Sequence, residues 1–420
     1  MPAGPDGPPA APAWQVRVRR VDGAPLVAVR AWVRGGARAE AIPGQAYLAG
    51  RLLAEGTRQH DWHAIAARSE SRGMVLQAFG GFEAHGVAVD ALARDWERAV
   101  DDLAELLLEA SFPEDRAELL KTQALGELES QADQADALTA REFLAQLYAP
   151  HPRGRPLQGE PAAIRSLSAA DAASFHRGAL AWGGVLTMTG ALDDAAAAER
   201  LEQLRRALPT GSSAPPRPSP PPSGPAPRRE FKTRANDQAH LFLGHLTVDR
   251  SHPDLPALEV LGVLLGSGPG LSGRIPARVR EREGLAYAAS AEAAAGAALD
   301  PGRLVCYVGT SPETVEQAER AVREELDRLL ADGATATEVA DAKSYLLGRE
   351  PFRRETARQW ADLLGLATLS ALPFDDPEWP NARTRAVTPE AVAEAARRHL
   401  HPELLRVTVG LPGDSAEERD

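Results

Sequence analysis

A charged segment in the second half of the chain ends in a tyrosine, and together they form the pattern with the clearest chemical use. The segment reads RVREREGLAY from Arg278 to Tyr287, so a charged helix end passes through Gly284 into a predicted strand. This order brings a guanidinium and a phenol close to one strand edge, where both groups can donate hydrogen bonds to a developing oxyanion. Judged on spacing alone, a solvated arginine and an edge tyrosine explain the same pattern better.

The histidines do not form a recognisable metal-binding motif. His60 and His63 can share one helix face, but no third ligand follows at a suitable distance, so we interpret them as a solvated helix start. His240 and His245 lie an odd number of residues apart in a predicted strand and therefore point to opposite faces. The sequence predicts no metal site in this chain.

A glycine-rich segment, GSGPGLSGR, runs from Gly266 to Arg274. Its amides can in principle hold an anion at the start of the following helix. It lacks the lysine and the strict glycine spacing of a phosphate-binding loop. We therefore interpret Gly266, Gly268 and Gly270 as a flexible, hinge-like loop in which glycine provides conformational freedom.

A short predicted helix in the first half carries an unusual face. Within GQAYLAGRLLAEGT, from Gly44 to Thr57, one helical face presents Tyr47, Gly50 and Arg51 at spacings of three and four. A glycine inside a helix costs about 1 kcal/mol relative to alanine. Gly50 therefore needs a reason other than the stability of the helix.

The elements around these residues occur twice along the chain. A capped helix followed by a β-branched strand runs from Leu167 to Gly190 and again from Val387 to Gly410, with caps at Ser168 and Thr388. Two strands followed by a long helix also occur in each half. This order predicts an α+β fold of two homologous halves, each an αβ lobe pair with a mainly antiparallel sheet flanked by helices.

A proline-rich segment separates the two halves. Residues 211–230 read GSSAPPRPSPPPSGPAPRRE, a composition that favours an extended linker over a ligand of a proline-recognising module. We predict domains at residues 14–210 and 231–412. The sequence further predicts a disordered N-terminus at residues 1–13 and a tail at residues 413–420.

The composition argues against several classes of function. With 47 basic and 59 acidic residues the chain has a net charge of -12, which argues against a surface for duplex nucleic acid or anionic membranes. No apolar run is long enough to cross a membrane, and the N-terminus lacks the features of a signal peptide. The single cysteine, Cys306, excludes a disulfide framework within the chain. We expect a cytoplasmic protein that binds neither nucleic acid nor membrane.

Two stretches together resemble the insulinase, or pitrilysin, family of inverted zincins. The stretch SGRIPARVREREGLAY is similar to the family segment in which S-R-L and L-R-E-x-x-G-L-A-Y follow a glycine-rich loop. The stretch from Gly44 to Thr57 is similar to the family block that carries H-x-x-E-H and ends in G-T. The resemblance covers nearly all of residues 14–412 and implies a clamshell-forming, metallopeptidase-like fold.

By this resemblance the zinc motif is degenerate. Tyr47, Gly50 and Arg51 stand where the family has two histidine ligands and a water-activating glutamate, and Glu127 stands at the third ligand position. An arginine is always charged and cannot ligate a cation, although Arg51 can pair with Glu127. We therefore expect this chain to bind no zinc and to have no peptidase activity alone.

The second motif is intact, which implies a role in a two-chain enzyme. In heterodimers of the family one chain carries H-x-x-E-H, and its partner carries an arginine and a tyrosine that hold the substrate carbonyl near the zinc. The resemblance implies this second role for Arg280 and Tyr287, with zinc on a homologous partner subunit. Extended peptides would add to a sheet edge near Gln77, Ala78 and Phe79, which match the family's Asn-Ala segment only in part.

Two other functions are compatible with the same fold. One is a structural or assembly subunit with no role in proteolysis, similar to the core proteins of the respiratory ubiquinol-cytochrome complex; the retained Arg280 and Tyr287 argue against it. The other is a homodimer that binds peptides without cutting them, and no sequence feature of its own supports it. A neighbouring gene that encodes a chain of similar length with an intact H-x-x-E-H would favour the two-chain peptidase, whereas a neighbour without the motif would favour the structural subunit.

Overall fold

The computed structural model describes residues 13–209, 211, 214–222, 224, 226–233, 237–269, 272–373 and 378–413. The predicted N-terminal segment and C-terminal tail therefore lie outside the described residues, except for Ala13 and Gly413. Gly270 of the glycine-rich segment lies outside them as well. In the part of the chain that is described, no helix is both long enough and apolar enough to cross a membrane.

The strands form two five-stranded sheets, one from each half of the sequence. The first sheet contains β1 (Trp14–Arg20), β2 (Leu26–Arg34), β3 (Val75–Gly80), β4 (Ala84–Leu92) and β5 (Gly184–Gly190). The second contains β6 (Arg229–Lys232), β7 (Ala239–Leu246), β8 (Ala286–Ala295), β9 (Arg303–Thr310) and β10 (Arg406–Leu411). Strand β6 begins at Arg229, inside the segment predicted to be a linker, because its main chain pairs with β10.

The two sheets have the same topology. The strand orders are β1-β5-β2-β4-β3 and β6-β10-β7-β9-β8, so each strand has a counterpart at the same place in the other sheet. The edge pairs β1/β5 and β6/β10 are parallel. All the other pairs are antiparallel. The predicted fold class, with two repeated halves and mainly antiparallel sheets, is confirmed.

Fifteen α-helices surround the sheets in the described residues. In the first half they are α1 (Gln45–Leu52), α2 (Trp62–Glu70), α3 (Trp96–Glu109), α4 (Glu114–Ala132), α5 (Ala135–Tyr148), α6 (Pro161–Ser166), α7 (Ala169–Leu180) and α8 (Asp194–Ala207). In the second half they are α9 (Leu255–Gly262), α10 (Arg274–Pro276), α11 (Val315–Asp332), α12 (Ala336–Arg349), α13 (Ala357–Leu369), α14 (Trp379–Ala386) and α15 (Pro389–His399). Wider helical turns extend α9 through Val263–Ser267 and α10 through Ala277–Arg282.

The predicted caps are present at both repeated helices. The Ser168 hydroxyl accepts a hydrogen bond from the Asp171 amide, and the Asp171 carboxylate accepts one in return from the Ser168 amide. The Thr388 hydroxyl accepts from the Ala391 amide at the start of α15. These bonds satisfy amides that a helix start leaves without partners, which explains why α7 and α15 begin where the sequence predicted.

The chain folds into two compact units that exchange helices between the halves of the sequence. The first unit comprises Met1–Ala124, Leu157–Pro218 and Arg354–Leu369, and the second comprises Leu125–Pro156, Ser219–Arg353 and Ser370–Asp420. Helix α13, from the second half, packs on β2 and β5, and α5, from the first half, packs on β7 and β10. These units differ from the predicted domains, because an amphipathic pattern indicates that a helix face is buried but does not identify the sheet that covers it.

The exchanged helices cover a second face of each sheet. Every residue of β5 is buried, and Trp32 of β2 packs with Leu369 of α13 on this face. In the second unit Phe143 and Tyr148 of α5 form a separate apolar cluster with Phe242 of β7. Each sheet therefore has helices on both faces, whereas its edge strand, β3 or β8, keeps exposed side chains.

Candidate functional site

The degenerate zinc-motif positions lie on α1 in the first unit. The guanidinium carbon of Arg51 lies 5.8 Å from the centroid of the Tyr47 ring, and both side chains are half-buried. A cation above an aromatic ring is attracted by the negative face of the ring. At the two positions that the resemblance assigns to histidine ligands, this helix therefore presents a positively charged guanidinium in contact with a phenol ring.

Gly50 allows α1 and β3 to meet main chain to main chain. A Cβ atom on Gly50 would collide with the carbonyl oxygen of Phe79, and a Cβ on Gly80 would collide with the Cα of Tyr47 and lie 2.7 Å from the Ala46 carbonyl oxygen. Cβ atoms essentially never approach other heavy atoms so closely. Position 50 consequently has no room for a side chain of any kind, which explains the glycine in the middle of a helix.

Glu127, the predicted third ligand position, is an exposed residue of α4. It belongs to the second compact unit, whereas Tyr47, Gly50 and Arg51 belong to the first. The predicted ion pair between Arg51 and Glu127 stays a prediction.

The predicted peptide-binding residues lie on an edge strand. Gln77, Ala78 and Phe79 belong to β3, which pairs with β4 and is the last strand of the first sheet. Gln77 is exposed, and the Phe79 ring lies 4.9 Å from the ring of Trp32. An edge strand presents main-chain donors and acceptors to an added strand.

Tyr287 stands at an irregularity of the edge strand of the second sheet. The pairing of β8 with β9 shifts between Ala286 and Ala288, so Tyr287 is the extra residue of a β-bulge. Bulges turn a side chain away from the regular alternation of a strand. The Tyr287 side chain is 63% exposed, the second largest exposure among the large hydrophobic side chains described.

Arg280 lies on the wide helical turn Ala277–Arg282 that leads to β8, and its side chain is exposed. Among the residues that the structure describes, it has no hydrogen-bond or ion-pair partner. Two neighbouring arginines are engaged. Arg274 forms a two-point ion pair with Glu338 at 2.8 and 2.9 Å, and Arg278 pairs with Glu283 at 2.9 Å. The segment thus has two anchored guanidinium groups and two exposed ones, those of Arg280 and Arg282, that are available for an external ligand.

The glycine-rich segment is closely packed around the glycines that the structure describes. Gly266 is buried, and a Cβ on it would lie 2.9 Å from the Ala291 amide nitrogen of β8. A Cβ on Gly273 would lie 2.6 Å from the Cα of Gly266, and one on Gly268 would collide with the Ser272 hydroxyl. Close packing against an edge strand requires the glycine at position 266, and the hinge-like role of the segment stays a prediction.

The structure brings together three potential metal ligands that the sequence did not identify. Within the described residues, His252, Asp254 and His399 place one donor atom each within 4.8 Å of one another. No degenerate zinc-motif position belongs to this group. No sequence signal pointed to it, because His252 precedes α9 and His399 ends α15, far apart along the chain.

Comparison with known proteins decides the family. The model of insulinase (peptidase family M16) matches residues 16–160, and the model of the peptidase M16 inactive domain matches residues 185–346. An uncharacterized zinc protease of Mycobacterium leprae is 30% identical over 378 residues, which cover 89% of this chain and 84% of that protein. This chain is a member of the insulinase family, peptidase family M16.

Other relatives in this family support the same fold and differ in their described activity. A non-peptidase homolog of Helicobacter pylori is 26% identical over 323 residues, covering 74% of this chain and 72% of that protein. The crystal structure of a peptidase M16 inactive domain from Pseudomonas fluorescens superimposes with a TM-score of 0.83 at 25% identity, over 95% of this chain and 96% of that one. The predicted family is confirmed, and the second half of this M16 chain matches a domain of the inactive type.

Proposed function

We propose that this M16 chain is the non-catalytic subunit of a two-chain zinc peptidase. It closes the substrate chamber and supplies Arg280 and Tyr287 to a zinc centre on a homologous H-x-x-E-H subunit. The observation that carries this proposal is the contrast between the two motif regions of the chain. One is closed and positively charged, whereas the other presents an exposed guanidinium and an exposed phenol.

The closed region argues against a hydrolytic zinc centre on α1. A water-activating carboxylate has no space at position 50, because the main chain of Phe79 occupies it. The Arg51 guanidinium repels a dication and offers no lone pair. Both effects act against a hydrolytic centre on α1.

The open region suits stabilisation of an oxyanion. In the proposed complex a zinc ion on the partner would act as the Lewis acid for the peptide carbonyl and for water. The Arg280 guanidinium and the Tyr287 hydroxyl both donate hydrogen bonds, and negative charge develops on the carbonyl oxygen of the peptide as the bond is attacked. Because neither donor is committed to an internal acceptor in the described residues, both are available to that oxygen.

Peptide binding at the β3 edge belongs to the same proposal. An extended peptide that pairs with Gln77 and Ala78 would gain main-chain hydrogen bonds without any requirement for a particular side chain. The region of Phe79 and Gly80 is packed against α1, so pairing would begin on the Val75 side of the strand.

The test measures hydrolysis of a quenched peptide pool in the presence of Zn²⁺. It compares this chain alone, a homologous H-x-x-E-H chain alone, and the two chains mixed. We expect activity in the mixture only. Arg280→Ala and Tyr287→Phe should each lower kcat of the mixture by about 10²- to 10³-fold, the usual effect of removing one oxyanion donor.

Arg282→Ala is the matched control, because Arg282 is an exposed arginine on the same helical turn. It should leave the activity of the mixture unchanged. Equal loss of activity in Arg280→Ala and Arg282→Ala would indicate a general requirement for positive charge on this turn and contradict the role assigned to Arg280. A mixture that is inactive, or indifferent to Arg280→Ala and Tyr287→Phe, would establish the alternative of a structural subunit.

A further inference from the structure

We propose that His252, Asp254 and His399 form a binding site for a transition-metal dication such as Zn²⁺ in the second unit. The site is independent of the proposed role in peptide hydrolysis. A carboxylate oxygen of Asp254, Oδ2, lies 2.8 Å from Nε2 of His399 and 4.0 Å from Nδ1 of His252. The two imidazole rings are 5.0 Å apart between centroids and nearly perpendicular, at 89°.

The distances between these donor atoms are close to those between the ligand atoms around a bound zinc ion. Zinc binds histidine nitrogen and carboxylate oxygen at about 2.0–2.2 Å in a tetrahedron, which places ligand atoms about 3.4 Å apart. The measured distances of 2.8 and 4.0 Å lie on either side of that value. Small side-chain rotations therefore suffice to convert the hydrogen-bonded group into a coordination sphere.

The main chain that carries His252 and Asp254 is itself held in place by neighbouring groups. His252 and Asp254 immediately precede α9, which packs against α15, the helix that ends at His399. Arg383 donates hydrogen bonds to the carbonyl oxygens of His252 and Pro253 at 3.1 and 3.3 Å. These bonds fix the main chain between the ligands, as outer groups do around metal sites.

The Asp254 side chain is not used as a helix cap. Aspartate at the residue before a helix normally accepts a hydrogen bond from an amide of the first turn. Asp254 occupies this position for α9 but makes no such bond, and its carboxylate instead faces His399. The Asp254 amide donates to Nδ1 of His252 at 3.1 Å, and an ion bound through Nδ1 would replace this hydrogen bond.

The donor set selects the class of ion. Two imidazoles and one carboxylate favour Zn²⁺, Co²⁺ or Ni²⁺, whereas Mg²⁺ and Ca²⁺ prefer ligand sets made of oxygen alone. Three protein ligands leave a fourth position for water. Nε2 of His399 carries a proton when it donates to Asp254, so metal binding at this nitrogen moves that proton to the other ring nitrogen or to solvent.

Arg398 is the cation that an incoming metal ion must displace. Its Nη1 lies 2.8 Å from Oδ2 of Asp254, and its Nη2 lies 2.9 Å from Glu394. The Arg398 side chain is 54% exposed, so it can move into solvent at little cost. If the three residues bind a metal ion, removal of the competing Arg398 guanidinium should tighten that binding. If Asp254 and Arg398 form only a structural ion pair, its removal should have no such effect.

The experiment titrates Zn²⁺, and separately Co²⁺, into the full chain by calorimetry after chelator treatment and without a polyhistidine tag. We expect one ion per chain. His252→Gln and His399→Gln should each weaken binding at least about tenfold. Arg398→Gln should tighten it. His401→Gln is the matched control, because this neighbouring histidine lies outside the group of three and its replacement should leave binding unchanged.

Thermal unfolding without metal identifies variants that fail to fold, and Zn²⁺ should raise Tm of the wild type but not of the His252→Gln/His399→Gln double variant. Absence of binding to the wild-type chain would overturn the proposal. Equal binding by wild type and double variant, or weaker binding by Arg398→Gln, would overturn it as well. None of these measurements depends on peptide hydrolysis, so the outcome is separate from that of the proposed function.

Discussion

Gly50 of α1 and Phe79 of β3 are in main-chain contact, and a Cβ on Gly50 would collide with the Phe79 carbonyl oxygen. Gly80 makes the reciprocal approach to Ala46 and Tyr47 from the strand side. Two glycines thus close the space between the motif helix and the edge strand. The positions that the resemblance assigns to the zinc motif are therefore closed by packing, in addition to carrying side chains unsuited to a metal.

Restoring the family residue at this position should destabilise the chain instead of activating it. Gly50→Glu forces α1 away from β3, and overpacking of this kind costs about 2 kcal/mol or more. The Tyr47→His/Gly50→Glu/Arg51→His triple variant should show the same loss and no peptidase activity. The measurement is urea unfolding followed by tryptophan fluorescence, which mainly reports the first unit because Trp379 is the one tryptophan that lies in the second.

Gly178→Ala is the matched control for this prediction. Gly178 is an exposed glycine of α7 in the same unit, and a Cβ on it meets nothing within 4 Å. Alanine there should raise the free energy of unfolding by up to about 1 kcal/mol, because it restricts the unfolded chain and favours the helix. Equal stability of Gly50→Glu and the wild type would show that α1 and β3 separate easily.

The repeated architecture was predictable because its signals are local. Ser168 and Thr388 begin helices through bonds to residues three positions away, and the strands that follow alternate or run apolar over short distances. The positions of α5 and α13 were not predictable. Their apolar faces indicate burial, but the choice of sheet depends on contacts between residues far apart in the chain.

The candidate site likewise has features that the sequence predicts and features that depend on contacts between distant residues. The residue types at positions 280 and 287 and their order next to a strand were evident from the sequence. The reason for Gly50 was not, since it depends on the approach of Phe79 and Gly80 from another element. The group of His252, Asp254 and His399 was missed for the same reason, because 145 residues separate Asp254 from His399.

A buried arginine should control the attachment of the proline-rich segment to the second unit. Arg406 of β10 donates to the main-chain oxygens of Gln146 and, at 3.1 Å, Leu147, and to those of Pro222 at 2.8 Å and Gly224 at 2.7 Å. Burial lowers the pKa of the guanidinium. The arginine guanidinium has five N–H donors in a planar fork and can reach these four acceptors, whereas a lysine ammonium has only three donors.

Arg406→Lys should therefore lower the free energy of unfolding by about 2 kcal/mol, the scale of lost hydrogen bonds to a charged group. It should also increase limited proteolysis between residues 214 and 229. Arg320→Lys, on the exposed side of α11, should change neither quantity. Proteolysis that stays at the wild-type rate in Arg406→Lys would show that other contacts hold the segment.

A buried pair of histidines should make the first unit sensitive to mild acid. Nε2 of His176 donates to the Leu107 carbonyl oxygen at 2.8 Å, so Nδ1 of His176 accepts from Nε2 of His85 at 3.0 Å. Burial lowers the pKa of His176 to about 4 and holds the pKa of His85 well below its ordinary value. Both rings are therefore neutral in the folded protein at pH 7.

The unfolded chain binds these protons first, because its histidines titrate near their ordinary pKa of about 6.5. The free energy of unfolding of the first unit should be fully maintained above pH 6.5 and should fall as the pH drops towards 4, by up to about 1.4 kcal/mol per pH unit for each histidine. His176→Gln should flatten this slope in tryptophan-detected unfolding. His401→Gln, in the second unit, should leave the slope as it is in the wild type.

The ion pair between Arg274 and Glu338 should stabilise the segment that carries Arg280. Both guanidinium contacts reach the Glu338 carboxylate, and Arg274 also donates to the Gly333 carbonyl oxygen at 3.0 Å. The hydrogen bond from Arg274 is the main cause that lowers the pKa of Glu338 to about 2. The folded state thus favours the ionised carboxylate, and its contribution to stability is complete above the ordinary pKa of about 4.5 and lost as the pH falls towards 2.

Glu338→Gln removes this contribution, so wild type and variant should differ in free energy of unfolding by about 2 kcal/mol above pH 5 and converge only as the pH falls to about 2. Hydrogen exchange at the amides of the turn Ala277–Arg282 should increase in the variant at pH 7, because that turn follows directly from the anchored Arg274. Glu316→Gln on the exposed face of α11 is the control and should change neither measurement. If hydrogen exchange is unchanged in Glu338→Gln, the turn that carries Arg280 is held by its own packing, through the buried Val279 and against β8. Arg274 would then contribute to stability without positioning Arg280.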